Sequence, residues 1–172
     1  IAVCSLGHCD PDLVAALVEQ AGRLWHTSNV FYSEPPLRLA QELVAASRFA
    51  ERAFLCNSGA EANEAALKLA RLHANARQVS QPQVLVMENS FHGRTLATLA
   101  ATGNPAVHRG FEPLMPGFVR VPFDNIEAIR QVAAQSPDIV AVLVEPVQGE
   151  GGVHAASAGY LQALRQLCDE HD

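Results

Sequence analysis

The chain has 172 residues, 49% of them apolar, and a formal net charge of -6. That length supports one domain with a real core, while the scattered charges, with no block of Lys or Arg, argue against a nucleic-acid surface. There is no long apolar run to suggest a membrane span, and Ile1-Ala2-Val3-Cys4 shows no basic n-region of a signal peptide. The four cysteines, at positions 4, 9, 56 and 168, include no Cys-x-x-Cys pair. Zinc ligation and a disulfide framework are therefore not expected, and a reducing cytoplasm is.

In chain order, Asp10-Pro11 opens a helix with an Asp cap and Pro in the first turn. Leu13, Val14, Leu17, Val18 and Ala21 repeat at helical spacing, and Gly22 ends it. Leu24 to Pro36 reads as a loop rich in aromatics, and residues 37–49 as a second helix with Leu39, Leu43 and Ala46 along one side. An apolar run, Ala53 to Cys56, reads as a strand that stops at Asn57-Ser58-Gly59-Ala60. The helix after it, 61–74, places Ala62, Ala65, Ala66, Leu69 and Ala70 on one face and Glu61, Glu64, Lys68 and Arg71 on the other. Val84 to Met87 is a buried-strand pattern, followed by Glu88-Asn89-Ser90-Phe91-His92-Gly93-Arg94-Thr95 and a helix from Leu96 to Ala101.

Thr102 to Gly117 holds three prolines and three glycines and reads as an extended loop. Phe118 to Val121 is a short strand, and Asp124 is the expected cap of a helix carrying Ile126, Ile129, Val132 and Ala133. Ile139 to Val144 is apolar and β-branched, as in a strand buried on both faces. Ser157 is expected to open the last helix, with Tyr160, Leu161, Leu164 and Leu167-Cys168 inward. The chain begins without Met and ends on that helix pattern at Asp172, so a piece of a longer protein is expected. Strands alternating with helices indicate an α/β protein with a mostly parallel sheet and flanking helices.

In such sheets ligands sit at the carboxyl ends of strands, and three strand ends here carry unusual residues. At the first, the N–H groups that open a helix have no partner inside it, and the dipole there is positive. Gly59 and Ala60 would let an anion approach, and Ser58 adds a hydroxyl. The plain alternative is that Asn57 or Ser58 merely caps a helix. At the second, Phe91 could stack on a planar ring or belong to the core. Arg94 is a fork for carboxylate or phosphate at a helix start, where the dipole disfavours an unpartnered cation. At the third, Glu145 lies between an apolar strand and Pro146, so it needs a donor or cation. Glu150 sits in a Gly-rich turn. The histidines at 8, 26, 73, 108, 154 and 171 show no metal spacing. Lys68, the only lysine, follows Glu64 by four residues and suggests an exposed ion pair.

Three segments resemble one family, the class III pyridoxal-phosphate aminotransferases of fold type I. They are Cys56-Asn57-Ser58-Gly59-Ala60-Glu61-Ala62-Asn63-Glu64, Ser90-Phe91-His92-Gly93-Arg94-Thr95, and Val144-Glu145-Pro146-Val147-Gln148-Gly149-Glu150-Gly151-Gly152. The 24–32 loop and Thr102-Gly103-Asn104-Pro105 are most similar to the family's acetylornithine branch. The resemblance implies the cofactor pyridoxal 5'-phosphate, with Gly59 and Ala60 giving N–H groups to its phosphate and Ser58 beside them. Phe91 would lie against the ring and His92 would border it. Arg94 would hold a substrate carboxylate, Glu145 would support cofactor and substrate, and Glu150 would switch a second arginine.

The implied reaction moves an amino group between N-acetylornithine and 2-oxoglutarate, in arginine biosynthesis, in a cytoplasmic homodimer without nucleic acid, membrane or metal. Ornithine, succinylornithine and 4-aminobutyrate are the alternative donors. A non-catalytic phosphate- or nucleotide-binding module is the alternative of another class, although neither a Gly-x-Gly-x-x-Gly nor a Gly-x-x-x-x-Gly-Lys motif is present. The family's Schiff-base lysine, its acidic partner for the ring nitrogen and its second arginine would all follow Asp172. No catalytic lysine is therefore expected in this chain, and alone it should be inactive. Asp10 stands where the family usually has His. By this reading residues 1–36 form an N-terminal helix with a dimer and active-site loop, and residues 37–172 form part of the cofactor-binding large domain.

Overall fold

A computed structural model describes residues 3–28 and 30–171, which form two compact units, 1–56 and 57–172. The division falls after the second helix rather than at 36/37, so that helix groups with the N-terminal residues.

In the first unit, α1 spans Pro11–Ala21 and α2 spans Glu34–Ser47. Asp10 caps α1, its Oδ1 accepting the amides of Asp12 at 3.1 Å and Leu13 at 3.2 Å. α2 starts before the expected Leu37. Pro35 and Pro36 fall in its first turn, where no intrahelical N–H is needed, so they open the helix instead of ending the loop. Neither helix buries a single residue. The strand expected at 53–56 does not form: the segment has no ladder partner among the described residues, and Phe54 is 70% exposed. An apolar run becomes a strand only beside another strand.

The second unit holds the sheet. β1 (Gln83–Met87) lies between β2 (Phe118–Val121) and β3 (Ile139–Leu143), and both pairings are parallel. Alternation along β1 sends Val84 and Val86 to one face and Leu85 and Met87 to the other. The first face is covered by Leu67 and Ala70 of α3 (Gly59–Ala76) and by Ala101 of α4 (Leu96–Ala101). The second packs against Ile129 of α5 (Ile126–Gln135) and against Tyr160, Leu164 and Leu167 of α6 (Tyr160–His171). β3 is half-buried rather than buried, because it stands at the edge of this three-stranded sheet. A short antiparallel pair, β4 (Val147–Gln148) with β5 (His154–Ala155), folds the third motif into a hairpin that the sequence did not announce.

Four local expectations are corrected. α3 turns Leu67, Ala70 and Ala74 inward, leaving Leu69 64% exposed, because its alanines gave the periodicity two competing apolar faces. The α5 cap is Asn125, whose Oδ1 accepts the Ala128 amide at 3.1 Å. Asp124 instead receives the Ser157 amide at 3.0 Å and hydroxyl at 2.8 Å. Ser157 thereby ties the approach to α6, which begins only at Tyr160. Finally, Lys68 is exposed as expected, but its presumed partner Glu64 is engaged elsewhere, accepting the Thr95 hydroxyl.

Candidate active site

The segment after β1 carries Phe91, His92 and Arg94. After Met87 the chain turns back under itself, and Ser90 Oγ donates to Met87 O at 2.7 Å. Gly103 seals the turn: its amide donates to Ser90 O at 2.9 Å, and its carbonyl accepts the Asn89 amide at 3.1 Å. A Cβ there would stand 2.2 Å from Met87 O, so only glycine lets the two backbones meet. Phe91 follows, half-buried and in neither hydrophobic cluster. It lines a cavity of about 220 Å³ with Asn89, Ser90, Arg94, Asn104, Val107, Glu150 and Gly151. Three residues named from sequence, Phe91, Arg94 and Glu150, thus face one space. Asn104 was missed as a lining residue, although the Asn-Pro turn at 104–105 was visible; its Oδ1 accepts the Ala106 amide at 3.0 Å.

Glu145, just past the end of β3, is half-buried, and its donor is the Phe91 amide, 2.8 Å from Oε1. Burial raises its pKa against the pull of that amide. The other oxygen, Oε2, is buried without a hydrogen-bond partner. His92 is 4% exposed. Its amide donates to Thr102 Oγ1 at 3.0 Å, and its carbonyl accepts Asn63 Nδ2 at 2.7 Å. Its ring Nε2 is buried and unpartnered, and burial lowers its pKa to about 4, so the ring is neutral near pH 7.

At the start of α3, Ser58 is the N-cap, and its Oγ accepts the Glu61 amide at 3.2 Å. Glu61 reaches back in turn: Oε2 accepts the Asn57 amide at 2.7 Å. Ser58 and Glu61 stand in the Ser-x-x-Glu pattern, but Glu61 bonds the residue before the cap and not the cap's own amide. The Ser58 hydroxyl is employed in capping. Among the described residues, no hydrogen bond uses the N–H groups of Gly59 or Ala60, and a Cβ built on Gly59 would meet nothing within 4 Å. Ser58, Gly59, Ala60, His92 and Glu145 do not line the 220 Å³ cavity. His92 follows Phe91 in the chain, Glu145 bonds the Phe91 amide, and Ala60 Cβ lies 3.0 Å from the site of a Cβ on Gly93, next to Arg94. No group of three or more His, Cys, Asp or Glu that could hold a metal occurs among the described residues.

Residues 1–172 match the family model for class III aminotransferases. This chain belongs to that family. The acetylornithine aminotransferase of Xylella fastidiosa strain 9a5c is 61% identical over 99% of the chain and 42% of its own length. A succinylornithine transaminase/acetylornithine aminotransferase of Pseudomonas aeruginosa is 55% identical over 100% of the chain and 42% of its length. Among solved structures, N-acetylornithine aminotransferase from Stenotrophomonas maltophilia K279a superposes with a TM-score of 0.81 at 50% identity. That match covers 100% of this chain and 42% of the other. The chain therefore spans about 42% of the length of these relatives. Class III aminotransferases depend on pyridoxal phosphate. The residues present fit such a group. Two free amides open a helix, an aromatic wall faces a cavity, and two buried polar atoms lack partners. No helix of the described residues is long and apolar enough to cross a membrane.

Proposed function

We propose that the protein to which this chain belongs is a transaminase that moves an amino group between N-acetylornithine and 2-oxoglutarate. The observation that supports it most is the pair of free Gly59 and Ala60 amides opening α3, packed beside the segment after β1 that places Phe91 and Arg94 on one cavity. Pyridoxal phosphate, when bound, supplies the electron sink for breaking bonds at the amino-bearing carbon. The two amides would hold its phosphate at the helix N-terminus, with Ser58 keeping that terminus in shape. Phe91 would lie against the ring. Glu145 holds the Phe91 backbone in place, and its unpartnered Oε2 is left for a cofactor or substrate donor. His92 borders the ring as a neutral imidazole, adding no charge.

Arg94 is exposed on the cavity and would clamp a substrate carboxylate in a bidentate pair. Glu150 shares that cavity and would accept an arginine when no substrate carboxylate is there. Lys68 sits on the outside of α3, away from this cavity, so the covalent attachment of the cofactor is assigned to a lysine beyond these residues. The working form is a cytoplasmic homodimer, to which residues 24–32 would contribute.

Reconstitution of the full-length gene product with pyridoxal phosphate tests this. A visible absorbance band that borohydride removes is expected, followed by turnover with N-acetylornithine and 2-oxoglutarate. A colourless protein after reconstitution overturns the reading. Faster turnover with ornithine, succinylornithine or 4-aminobutyrate replaces the donor and keeps the class.

A further inference from the structure

The first turns of α3 present Ala60, Asn63 and Glu64 on one face, and all three meet the segment that carries Phe91 and Arg94. Ala60 Cβ lies 3.0 Å from the site of a Cβ on Gly93, Asn63 Nδ2 donates to His92 O at 2.7 Å, and Glu64 Oε1 accepts the Thr95 hydroxyl. The other side of the segment rests on α4. Thr98 Oγ1 accepts the Thr95 amide at 3.0 Å, and Thr102 Oγ1 accepts the His92 amide at 3.0 Å. Thr98 and Thr102 are fully buried, and the Gly93 Cα packs so closely on Thr98 that a Cβ would fall 2.6 Å from its hydroxyl. The two sets of contacts differ in what they fix. The threonines fasten the segment to the helix that follows it. The α3 contacts fasten it to the helix whose first amides are free.

We propose that Asn63 and Glu64 are positioning residues that set the distance between the Gly59–Ala60 anion cradle and the wall made by Phe91 and Arg94. Together they make the site fit a planar ring carrying a phosphate, where the cradle alone would fit any phosphate. This rests on the cofactor reading above. The two residues touch neither ring nor phosphate; they act through the His92 carbonyl and the Thr95 hydroxyl. Asn63 contributes more, since its bond is half-buried and ends on a backbone atom next to Phe91.

The test uses the full-length gene product, with Asn63→Ala and Glu64→Ala as variants; Thr95 is left in place because its hydroxyl also bonds Thr98 Oγ1 at 2.7 Å. Two affinities are measured on the apo protein, for pyridoxal 5'-phosphate and for inorganic phosphate. The circular dichroism of the bound cofactor's visible band and the apo melting temperature are also recorded. Loss of the hydrogen bond is expected to weaken pyridoxal phosphate about tenfold in Asn63→Ala and about threefold in Glu64→Ala. The induced dichroism should change with it, and inorganic phosphate should bind within about twofold of wild type, because the cradle amides are untouched. Equal losses for phosphate and cofactor would overturn the inference, since the contacts would then be supporting α3 alone. Unchanged cofactor affinity and dichroism would overturn it as well. If Asn63→Ala does not fold, Glu64→Ala decides by the same criteria. A wild-type protein that binds no pyridoxal phosphate would defeat the cofactor reading and the inference together, an outcome distinct from variants that behave as wild type.

Discussion

Helices α1 and α5 carry the same kind of apolar stripe, Leu13-Val14-Leu17-Val18 in one and Ile126-Ile129-Val132-Ala133 in the other. Ile129 is wholly buried against the sheet, with Ile126, Val132 and Ala133 packed around the same cluster. Leu13, Val14, Leu17 and Val18 are 54%, 46%, 69% and 68% exposed. The first unit adds Trp25, Tyr32 and Phe49, each more than four-fifths exposed. The stripes are equally periodic, so periodicity reports that a face needs cover and leaves open what supplies it. In the second unit the sheet supplies it. In the first unit nothing within the unit does, and that is where residues 24–32 carry the proposal of a partner chain.

The sharpest way to break the contrast is to cut the same side chain in both units. Leu85→Ala removes a leucine that is 1% exposed and should cost about 2–5 kcal/mol, because the β1 core cannot collapse around the loss. Leu17→Ala should stay within about 0.5 kcal/mol. Urea denaturation of the 172-residue chain measures both. A cost above about 2 kcal/mol for Leu17→Ala would show that its stripe is covered from outside its own unit.

Arginines offer the next comparison. Arg38 lies on α2, exposed and 3.4 Å from Glu34, an i,i+4 pair of little worth. Arg94 lines the cavity. In the full-length enzyme Arg94→Ala should raise KM for the carboxylate substrates about tenfold to a hundredfold, the value of a charge-assisted bidentate pair. Arg38→Ala should leave KM unchanged. An unaltered KM for both substrates in Arg94→Ala would remove Arg94 from the site.

A third contrast is in pH. His92 is buried in the second unit with its pKa lowered to about 4, whereas His26 lies in the first unit's loop. A folded-state pKa below the unfolded one means that the unfolded chain binds more protons between about pH 4 and 6.5. Stability from His92 is therefore complete above pH 6.5 and falls as pH drops through that window, on the order of 2 kcal/mol by pH 5. His92→Gln should flatten the slope of unfolding free energy between pH 5 and 7. Glu145 runs the other way, because burial raises its pKa. Its ionisation costs stability as pH rises above the unfolded value, and that cost is fully present above the folded one, so Glu145→Gln, which keeps an acceptor for Phe91, should not destabilise the fold at pH 7.

The parallel sheet and its helical flanks were legible in the sequence because each is a local pattern: β-branched runs, helix periods and the turn at Gly93. The errors share a different origin. The 53–56 run has strand composition, but a strand needs a neighbour that composition does not name. α3 offered two alanine-rich faces, and only the position of Val84 and Val86 chooses between them. Asp124 and Asn125 are both good caps, and the choice falls to Ser157, which takes Asp124 from across the fold. At the site, Arg94, Phe91 and Glu150 could be named from motif chemistry. The Asn63–His92 bond, which joins two motifs 29 positions apart, could not.

The smallest effect separates the units by mode of unfolding instead of by energy. Asp10 caps α1 through two amides, and Asn125 caps α5 through one. Either change to alanine should cost about 1 kcal/mol where it acts. α5 carries Ile129 into the core, so Asn125→Ala should appear in global unfolding and in exchange of the slowest amides of β1. α1 buries nothing, so Asp10→Ala should speed amide exchange within residues 11–21 alone, leaving the urea midpoint of the second unit in place. Hydrogen exchange read by mass spectrometry distinguishes the two. If Asp10→Ala also lowers the protection of β1, the two units unfold as one, and the contrast in burial does not extend to cooperativity.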